Sequence, residues 1–425
     1  MRVPERPRHQ MHDPAHIDLV LSGARPKVVA ALLRYFRDLD TAEEAFQESC
    51  LRALQTWPLK GFPVDPTAWL VTVGRNAALD IKRRDRLVSP LADADALAVE
   101  NASAAEDLDE SHYRDDILRL LFVCGHPTLP ATQQIALALR IVSGLTVEQI
   151  AKAFLVSPAA MEQRITRAKQ TIAKVGVEFE TPGAAERRTR LAAVSTMVYL
   201  IFNEGYGSTP DSAAAREPLA EEAIRLGRLL LRLFPTDPEI FGLLALMLLQ
   251  HSRAAARFDA NGELVLLDEQ DRSRWNRALI DEGRLLLERA AVCQSPGPYQ
   301  LQAAVAALHL HATTPADTAW KQIDSLYQAL ESMQPSPVVT LNRAVAVWKL
   351  RGPEAALQMI DPLKSELDAY FYFHGLRGTL LKELQRFDEA REALNRAISL
   401  AKSVAEAKLI RRELDRLACS CQSGM

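Results

Sequence analysis

The sequence of 425 residues has no excess of positive charge. Its formal net charge is −3, so it does not coat nucleic acid through bulk electrostatics, and any DNA contact has to come from local patches. Cysteine is scarce and scattered: Cys50, Cys124, Cys293, Cys419 and Cys421 are odd in number and unpaired in spacing, which argues against a disulfide framework and suits a reducing compartment. Cys419 and Cys421 have no second ligand pair nearby, so they read as a frayed terminus rather than a zinc site. The nine histidines fall at no metal-ligand spacing, there is no glycine-rich phosphate loop, and no local motif pairs Ser or Cys with His. No enzyme, cofactor or metal is therefore expected. Long apolar runs are also missing. None reaches the length needed to span a bilayer, and the opening MRVPERPRHQMHDP lacks the apolar core of a signal peptide, so a cytoplasmic location without membrane contact is expected.

Hydrophobic residues make up 48% of the chain, enough for real cores in two or three domains. The patterning is helical nearly throughout, and the expected fold is all-α. A first block, 13–86, reads as helices over Ala15–Ser22, Pro26–Leu39, Thr41–Leu54 and Pro66–Arg84, with a loop from Trp57 to Pro63. Asp65-Pro66 is an N-cap followed by proline at the first helical position. In the WLVTVGRNAALDIKRR stretch that follows, Trp69, Leu70, Val73, Ala77 and Ile81 recur at helical spacing as the buried stripe. Thr72, Arg75, Asn76, Leu79, Lys82, Arg83 and Arg84 fall outside it, a surface of donors and cations that suits nucleic acid and equally describes an ordinary amphipathic helix with a solvated basic end. Residues 87–112 are rich in Asp, Glu and Ala and read as a flexible acidic linker. It is either a solvated tether or a strand-like polyanion that occupies a basic channel meant for nucleic acid or screens flanking basic surfaces.

A second block, 113–180, holds the clearest local motif. Leu129-Pro130 opens a helix that stops at Ser143-Gly144. Thr146 to Gln149 fits a capping box, and the short helix it starts ends near Phe154. After a tight turn, Ser157-Pro158 begins a helix with the apolar stripe Met161, Ile165, Ala168 and Ile172. Two short helices around a turn, the second carrying Gln163, Arg164, Arg167 and Lys169, make a helix-turn-helix. Arg and Gln can pair with guanine and adenine edges.

The third block, 184–425, is helical and carries an internal repeat, clearest at 337–402. Ala344 aligns with Gly378, Val347 with Leu381, Leu350 with Leu384, Ala356 with Ala390, Ile360 with Leu394, and Leu363 with Ala397, a period of 34 residues. That is the tetratricopeptide period. Ala307, Leu310, Ala319 and Ile323 form a looser copy. Helices are expected over Glu217–Phe234 and Pro238–Ala256, followed by a small β-hairpin at Asn261-Gly262.

The WLxTVxRNxALDxxRR pattern, an acidic linker and a helix-turn-helix, in that order, resemble the extracytoplasmic-function sigma factors of the sigma-70 family over roughly the first 180 residues. The extension resembles that of a subgroup with tetratricopeptide-like domains, in which TMVYLIFNEGY, here Thr196 to Tyr206, is recognisable. The resemblance implies a factor that binds core RNA polymerase, through the β′ clamp helices and the β flap, and opens promoter DNA. On it, Asp40, Glu44, Gln47 and Glu48 would dock on polymerase. Lys60, Phe62, Arg75, Asn76, Lys82, Arg83 and Arg84 would hold the −10 element, with Asp80 orienting a nearby Arg. Gln163, Arg164 and Arg167 would read the −35 element, with Ser157 and Lys169 on phosphates. Asn203, Glu204, Gly205 and Tyr206 are a candidate regulatory turn, explained equally by a plain helix stop. The extension would regulate the factor and could meet a protein or small-ligand partner. The competing reading is a DNA-binding regulator or scaffold with a tetratricopeptide-like groove that does not bind core polymerase.

Overall fold

The computed structural model describes residues 14–88, 110–154, 156–175, 184–206, 210–401 and 403–422. Acidic segment 89–109, Leu155 in the expected tight turn, and the side chains of Asp80, Ile81, Lys82, Arg83, Arg84, Cys419 and Cys421 lie outside what is described. Among the described residues the order is α1 (Pro14–Phe36), α2 (Leu39–Lys60), α3 (Pro66–Val88), α4 (Glu110–Cys124), α5 (Ala131–Ile141), α6 (Val147–Ala153), α7 (Pro158–Val175), α8 (Ala184–Tyr206), α9 (Pro210–Leu233), α10 (Pro238–His251), α11 (Arg277–Val292), α12 (Pro298–His311), α13 (Trp320–Met333), α14 (Pro337–Arg351), α15 (Pro353–Ile360), the one-turn α16 (Lys364–Leu367), α17 (Phe371–Glu383), α18 (Phe387–Leu400) and α19 (Val404–Gln422). The chain is all-helical, as expected. It divides into two compact units between Leu200 and Ile201.

In the first unit α1, α2 and α3 pack on one another. The break expected before Pro26 does not occur: α1 runs through it. An interior proline costs about 3 kcal/mol, but Ile17, Leu21 and Ala24 before it and Val28, Val29, Leu32 and Leu33 after it are all buried. Each large side chain so buried returns roughly 1.5–3 kcal/mol, so keeping the face continuous wins. Likewise α2 continues past Leu54 and through Pro58 to Lys60. That places the Trp57 indole, 1% exposed, in the core. Gly61, at φ 86°, ends the helix by donating its N–H to the Trp57 carbonyl at 2.9 Å, a backbone conformation that glycine takes without strain.

The buried stripe of α3 is turned from the expected one. Leu70, Gly74, Ala77 and Ala78 are buried, while Trp69 and Val73 are half-buried. The cause is Gly74, where a Cβ would stand 2.8 Å from the Ala45 carbonyl oxygen. A residue without a side chain marks the closest approach of α2 and α3, and the neighbouring larger residues flank it.

The helix-turn-helix forms as read. Thr146 and Gln149 make the reciprocal capping box of α6, Gly144 takes φ 76° after α5, and Met161, Ile165, Ala168 and Ile172 are the buried face of α7. α4 packs against both α1 and α5. The sequence starts the extension at 184, whereas the first unit takes in α8 as far as Leu200. Within that unit Val194 lies beside Gly125, and Arg190 sits over the Phe122 ring at 5.8 Å.

In the second unit consecutive helices pack as neighbours from α9 to α15 and from α17 to α19. The expected hairpin is reduced to a single antiparallel bridge, Phe258 to Leu264, with Gly262 at φ 72°. The helices α14 and α17, and likewise α15 and α18, begin 34 residues apart. Ala344, Ala356, Ile360, Leu381, Ala390 and Leu394 are all buried. At Gly378 a Cβ would come 2.6 Å from the Leu394 side chain, so the glycine admits it. Leu350 departs from the pattern and is 43% exposed.

One consequence concerns pH. His309 on α12 lies edge-on to Trp320 at 5.3 Å, and burial, helped by Arg253, pushes its pKa down to about 4. The unfolded value is about 6.5, so this contribution to stability is complete above that pH and lost as pH falls toward the folded value. The loss amounts to about 3 kcal/mol. Urea titrations at pH 7 and pH 4.5 should show it, and His309→Gln should remove most of the difference. An equal pH dependence in the variant would contradict the assignment.

Candidate nucleic-acid interface

The acidic surface of the first unit is built on α2. Asp38 caps it, accepting the Thr41 N–H at 2.7 Å, and Leu39, Ala42, Ala45, Phe46, Ser49, Ala53 and Trp57 turn inward. Asp40, Glu44 and Gln47 are exposed, and Glu48, half-buried, accepts from Arg52 at 2.9 Å. All four polymerase candidates therefore share the solvent side of one helix, as read.

Beyond Lys60, which is exposed, the loop 61–65 leads into α3. Phe62 packs on the Trp57 ring at 5.0 Å and on His16 at 5.2 Å, and Trp57 meets Trp69 at 5.4 Å. Asp65 caps α3 through the Ala68 N–H at 3.0 Å. Arg75 is half-buried over the Tyr35 ring at 5.7 Å, and Asn76 is exposed. Sequence reasoning missed two residues here. Leu59 is 76% exposed and Val64 is fully exposed, and apolar side chains left bare beside a basic helix can wedge between bases. Their signal in the sequence was an apolar residue on each side of the Lys60-Gly61-Phe62-Pro63 break.

On α7, Ser157 accepts the Ala160 N–H at 3.2 Å and so serves as N-cap. Gln163 and Arg167 are exposed and line a shallow groove with Ala159, Glu162, Thr166 and Gln170. Arg164 is half-buried. Lys169 does not present its charge to solvent. Its ammonium donates to Asp40 at 2.5 Å and to Glu43 at 3.1 Å, and its side chain is 16% exposed. In the free chain two carboxylates of α2 hold Lys169, the residue read as a phosphate contact. Burial works against its charge, but those hydrogen bonds and charges outweigh it and raise its pKa.

Glu43, which sequence reasoning passed over, is the hub. Its carboxylate is 6% exposed and faces Arg140 at 2.8 Å, Lys169 at 3.1 Å and Arg25 at 3.3 Å. Arg25 also donates to the carbonyls of Ile141 at 3.0 Å and Arg140 at 3.1 Å, at the C-terminus of α5, where a cation meets the negative end of the helix dipole. Burial lowers the Arg25 pKa, and Glu43 opposes that shift. The available signal was a carboxylate on the apolar stripe of α2, between Leu39 and Phe46.

The candidate turn of the extension is helix. α8 continues through Tyr206, and 207–209 lie outside the described residues. Gly205 is a packing site: a Cβ there would stand 2.4 Å from the Ala220 nitrogen. Tyr206 stacks on Phe202 at 5.3 Å, lies under the Arg257 guanidinium at 3.9 Å, and its carbonyl accepts from Arg257. Asn203 is exposed and Glu204 half-exposed.

An acidic helix face, a loop-led helix and a helix-turn-helix thus lie on one unit. Comparison with known families agrees. Residues 22–87 match Sigma-70 region 2, residues 120–172 match Sigma-70 region 4, and residues 190–291 match a family of unknown function (DUF6596). The chain carries Sigma-70 region 2 and region 4 domains, which are non-enzymatic and imply sigma-factor function with binding of core RNA polymerase and promoter DNA. It is 60% identical over 411 residues to an uncharacterized protein of Rhizobium meliloti (strain 1021), covering 96% of this chain and 97% of that one. Among the described residues no helix is long and apolar enough to cross a membrane.

Proposed function

We propose that the chain is a sigma factor of the extracytoplasmic-function type, regulated by its own C-terminal helical unit. Asp40, Glu44, Gln47 and Glu48 dock on basic helices of core polymerase. Lys60, Phe62, Arg75 and Asn76, with Lys82, Arg83 and Arg84, engage the −10 element, and Leu59 and Val64 wedge the opened bases. Gln163, Arg164 and Arg167 read the −35 element, and Ser157 meets phosphate. The observation that carries the reading is that Asp40, Glu44 and Gln47 on α2, Asn76 on α3 and Gln163 and Arg167 on α7 are exposed, while the apolar stripes of α2 and α7 are buried.

Base reading by Arg167 has a distinct signature. Arg167→Ala should cost about 1–3 kcal/mol at one promoter position, whereas loss of a phosphate contact weakens all promoters alike. A promoter library scored by transcription separates the two, and a uniform loss would count against base readout.

The helix pairs of the second unit are read as tetratricopeptide-like, stacking so that each buries its face against its neighbours. Their role is to set the availability of the DNA-binding unit through a protein or small-ligand partner. Asn203 and Glu204, the two outward residues of the last turn of α8, belong to that surface. Run-off transcription by the full chain and by a chain ending at Leu200, which keeps the packed part of α8, tests this. Equal activity in vitro and in cells would sink the regulatory role and leave the sigma role standing.

A further inference from the structure

Residues 252–276, between α10 and α11, form the longest connection between helices in the second unit. Connections of this length without extended secondary structure of their own are uncommon in compact domains and tend to have a task. This one is built from within. Its ends are tied where the Asn276 N–H donates to the Ser252 carbonyl at 2.8 Å. Asp259 accepts the N–H groups of Asn261 at 2.9 Å and Glu263 at 2.8 Å, and Val265 donates to the Arg257 carbonyl at 2.8 Å. Ala256, Gln270 and Trp275 are buried. We propose that loop 252–276 is a brace that joins the two ends of the second unit, so that α19 and the last turn of α8 loosen together although the whole helix array separates them in sequence.

Three observations carry it. First, the loop reaches helices far apart in the chain. Arg257 covers the Tyr206 ring at 3.9 Å and donates to the Tyr206 carbonyl at the end of α8. Arg272 donates to the carbonyls of His309, at 3.2 Å, and Ala312 at the end of α12, and Asp268 faces Lys349 of α14 at 3.8 Å. On α19, Arg412 donates to the Leu264 carbonyl at 3.0 Å and faces Glu263 at 3.6 Å, with Lys408 at 3.5 Å from the same carboxylate. Second, helix packing alone gives α19 no such reach, because it lies on α18 and α17. In an array held only by neighbouring helices, coupling passes from each repeat to the next. The loop bypasses that series, since Leu264 and Arg412 are 148 positions apart. Third, the grip on α19 is specific. One guanidinium serves a carbonyl and a carboxylate of consecutive loop residues, Glu263 is only 25% exposed, and hydrogen bonds from a cation are stronger than neutral ones. Because the loop is closed at its base and anchored by its own buried side chains, a pull on its α19 side is felt at Arg257.

Hydrogen exchange of the full chain, read by mass spectrometry segment by segment, tests this. In Arg412→Met, exchange should rise roughly tenfold in 257–266 and in 202–206 as well as in α19, with α10 and α13 unchanged. Coupling is reciprocal, so Arg257→Ala should raise exchange in α19. Lys382→Met serves as control: Lys382 pairs with Glu413 and ties α19 to α17 without touching the loop, so it should loosen α19 and leave 202–206 as it was. Glu263→Gln leaves Arg412 its carbonyl acceptor and should show the Arg412→Met pattern at about threefold, which keeps the test valid if Arg412→Met does not fold. An effect of Arg412→Met or Glu263→Gln confined to α19 and its helical neighbours would overturn the proposal. So would an Arg257→Ala effect confined to α8 and the loop, or an equal rise at 202–206 in Lys382→Met.

Discussion

Glu43→Ala is expected to destabilise the first unit by about 3–5 kcal/mol. The carboxylate is 6% exposed and faces three cations, Arg25, Arg140 and Lys169. Removing it leaves Arg25, whose side chain is 10% exposed, with carbonyl acceptors but no counter-charge. It also leaves three positive charges near one another in a region of low dielectric, where their repulsion is strongest. The loss should exceed that of breaking an exposed pair such as Glu48 with Arg52, which is worth at most about 1 kcal/mol. Glu43→Gln keeps the shape and some hydrogen bonds and should fall between. Urea denaturation followed by helical circular dichroism measures it, and a loss under about 1 kcal/mol for Glu43→Ala would show that solvent, not the carboxylate, balances these cations.

Reversing charge on the outer face of α2 should act on binding and spare the fold. Glu44 is exposed and Glu48 pairs only locally with Arg52, so Glu44→Lys with Glu48→Lys should shift stability by no more than about 0.5 kcal/mol per site. Affinity for core polymerase should drop by roughly 3 kcal/mol, over a hundredfold, because attraction to a basic partner becomes repulsion in a contact that excludes water. Fluorescence anisotropy at low and moderate salt reads this directly. Added salt should narrow the gap between variant and unsubstituted chain. Equal affinities would remove α2 from the docking surface.

The helix-turn-helix was legible because local signals set it: the capping box at Thr146, the stop at Gly144 and the stripe Met161, Ile165, Ala168 and Ile172 all lie within one stretch of chain. Local signals misled where packing overrode them. Pro26 reads as a break, but a continuous buried face carries α1 across it. Trp69 and Val73 read as core by their helical spacing, yet the small residue Gly74 decides which side of α3 meets α2. Long-range charge was the least legible. Lys169 looks like a solvent-facing cation on its own helix, and Glu43, though it falls on the apolar stripe of α2, names no partner on its own. Only the approach of residues 126 positions apart in sequence pairs them. The acidic face of α2 was readable because exposure on one helix follows from periodicity alone.

The central claim is that this chain confers promoter-specific initiation on core polymerase. Run-off transcription with purified core, with and without the full chain, on fragmented genomic DNA tests it most directly. Discrete transcripts that require the chain, and that disappear with Glu44→Lys and Glu48→Lys together, are the predicted result. Transcription that is indifferent to the chain, with no complex between chain and core, would contradict the account.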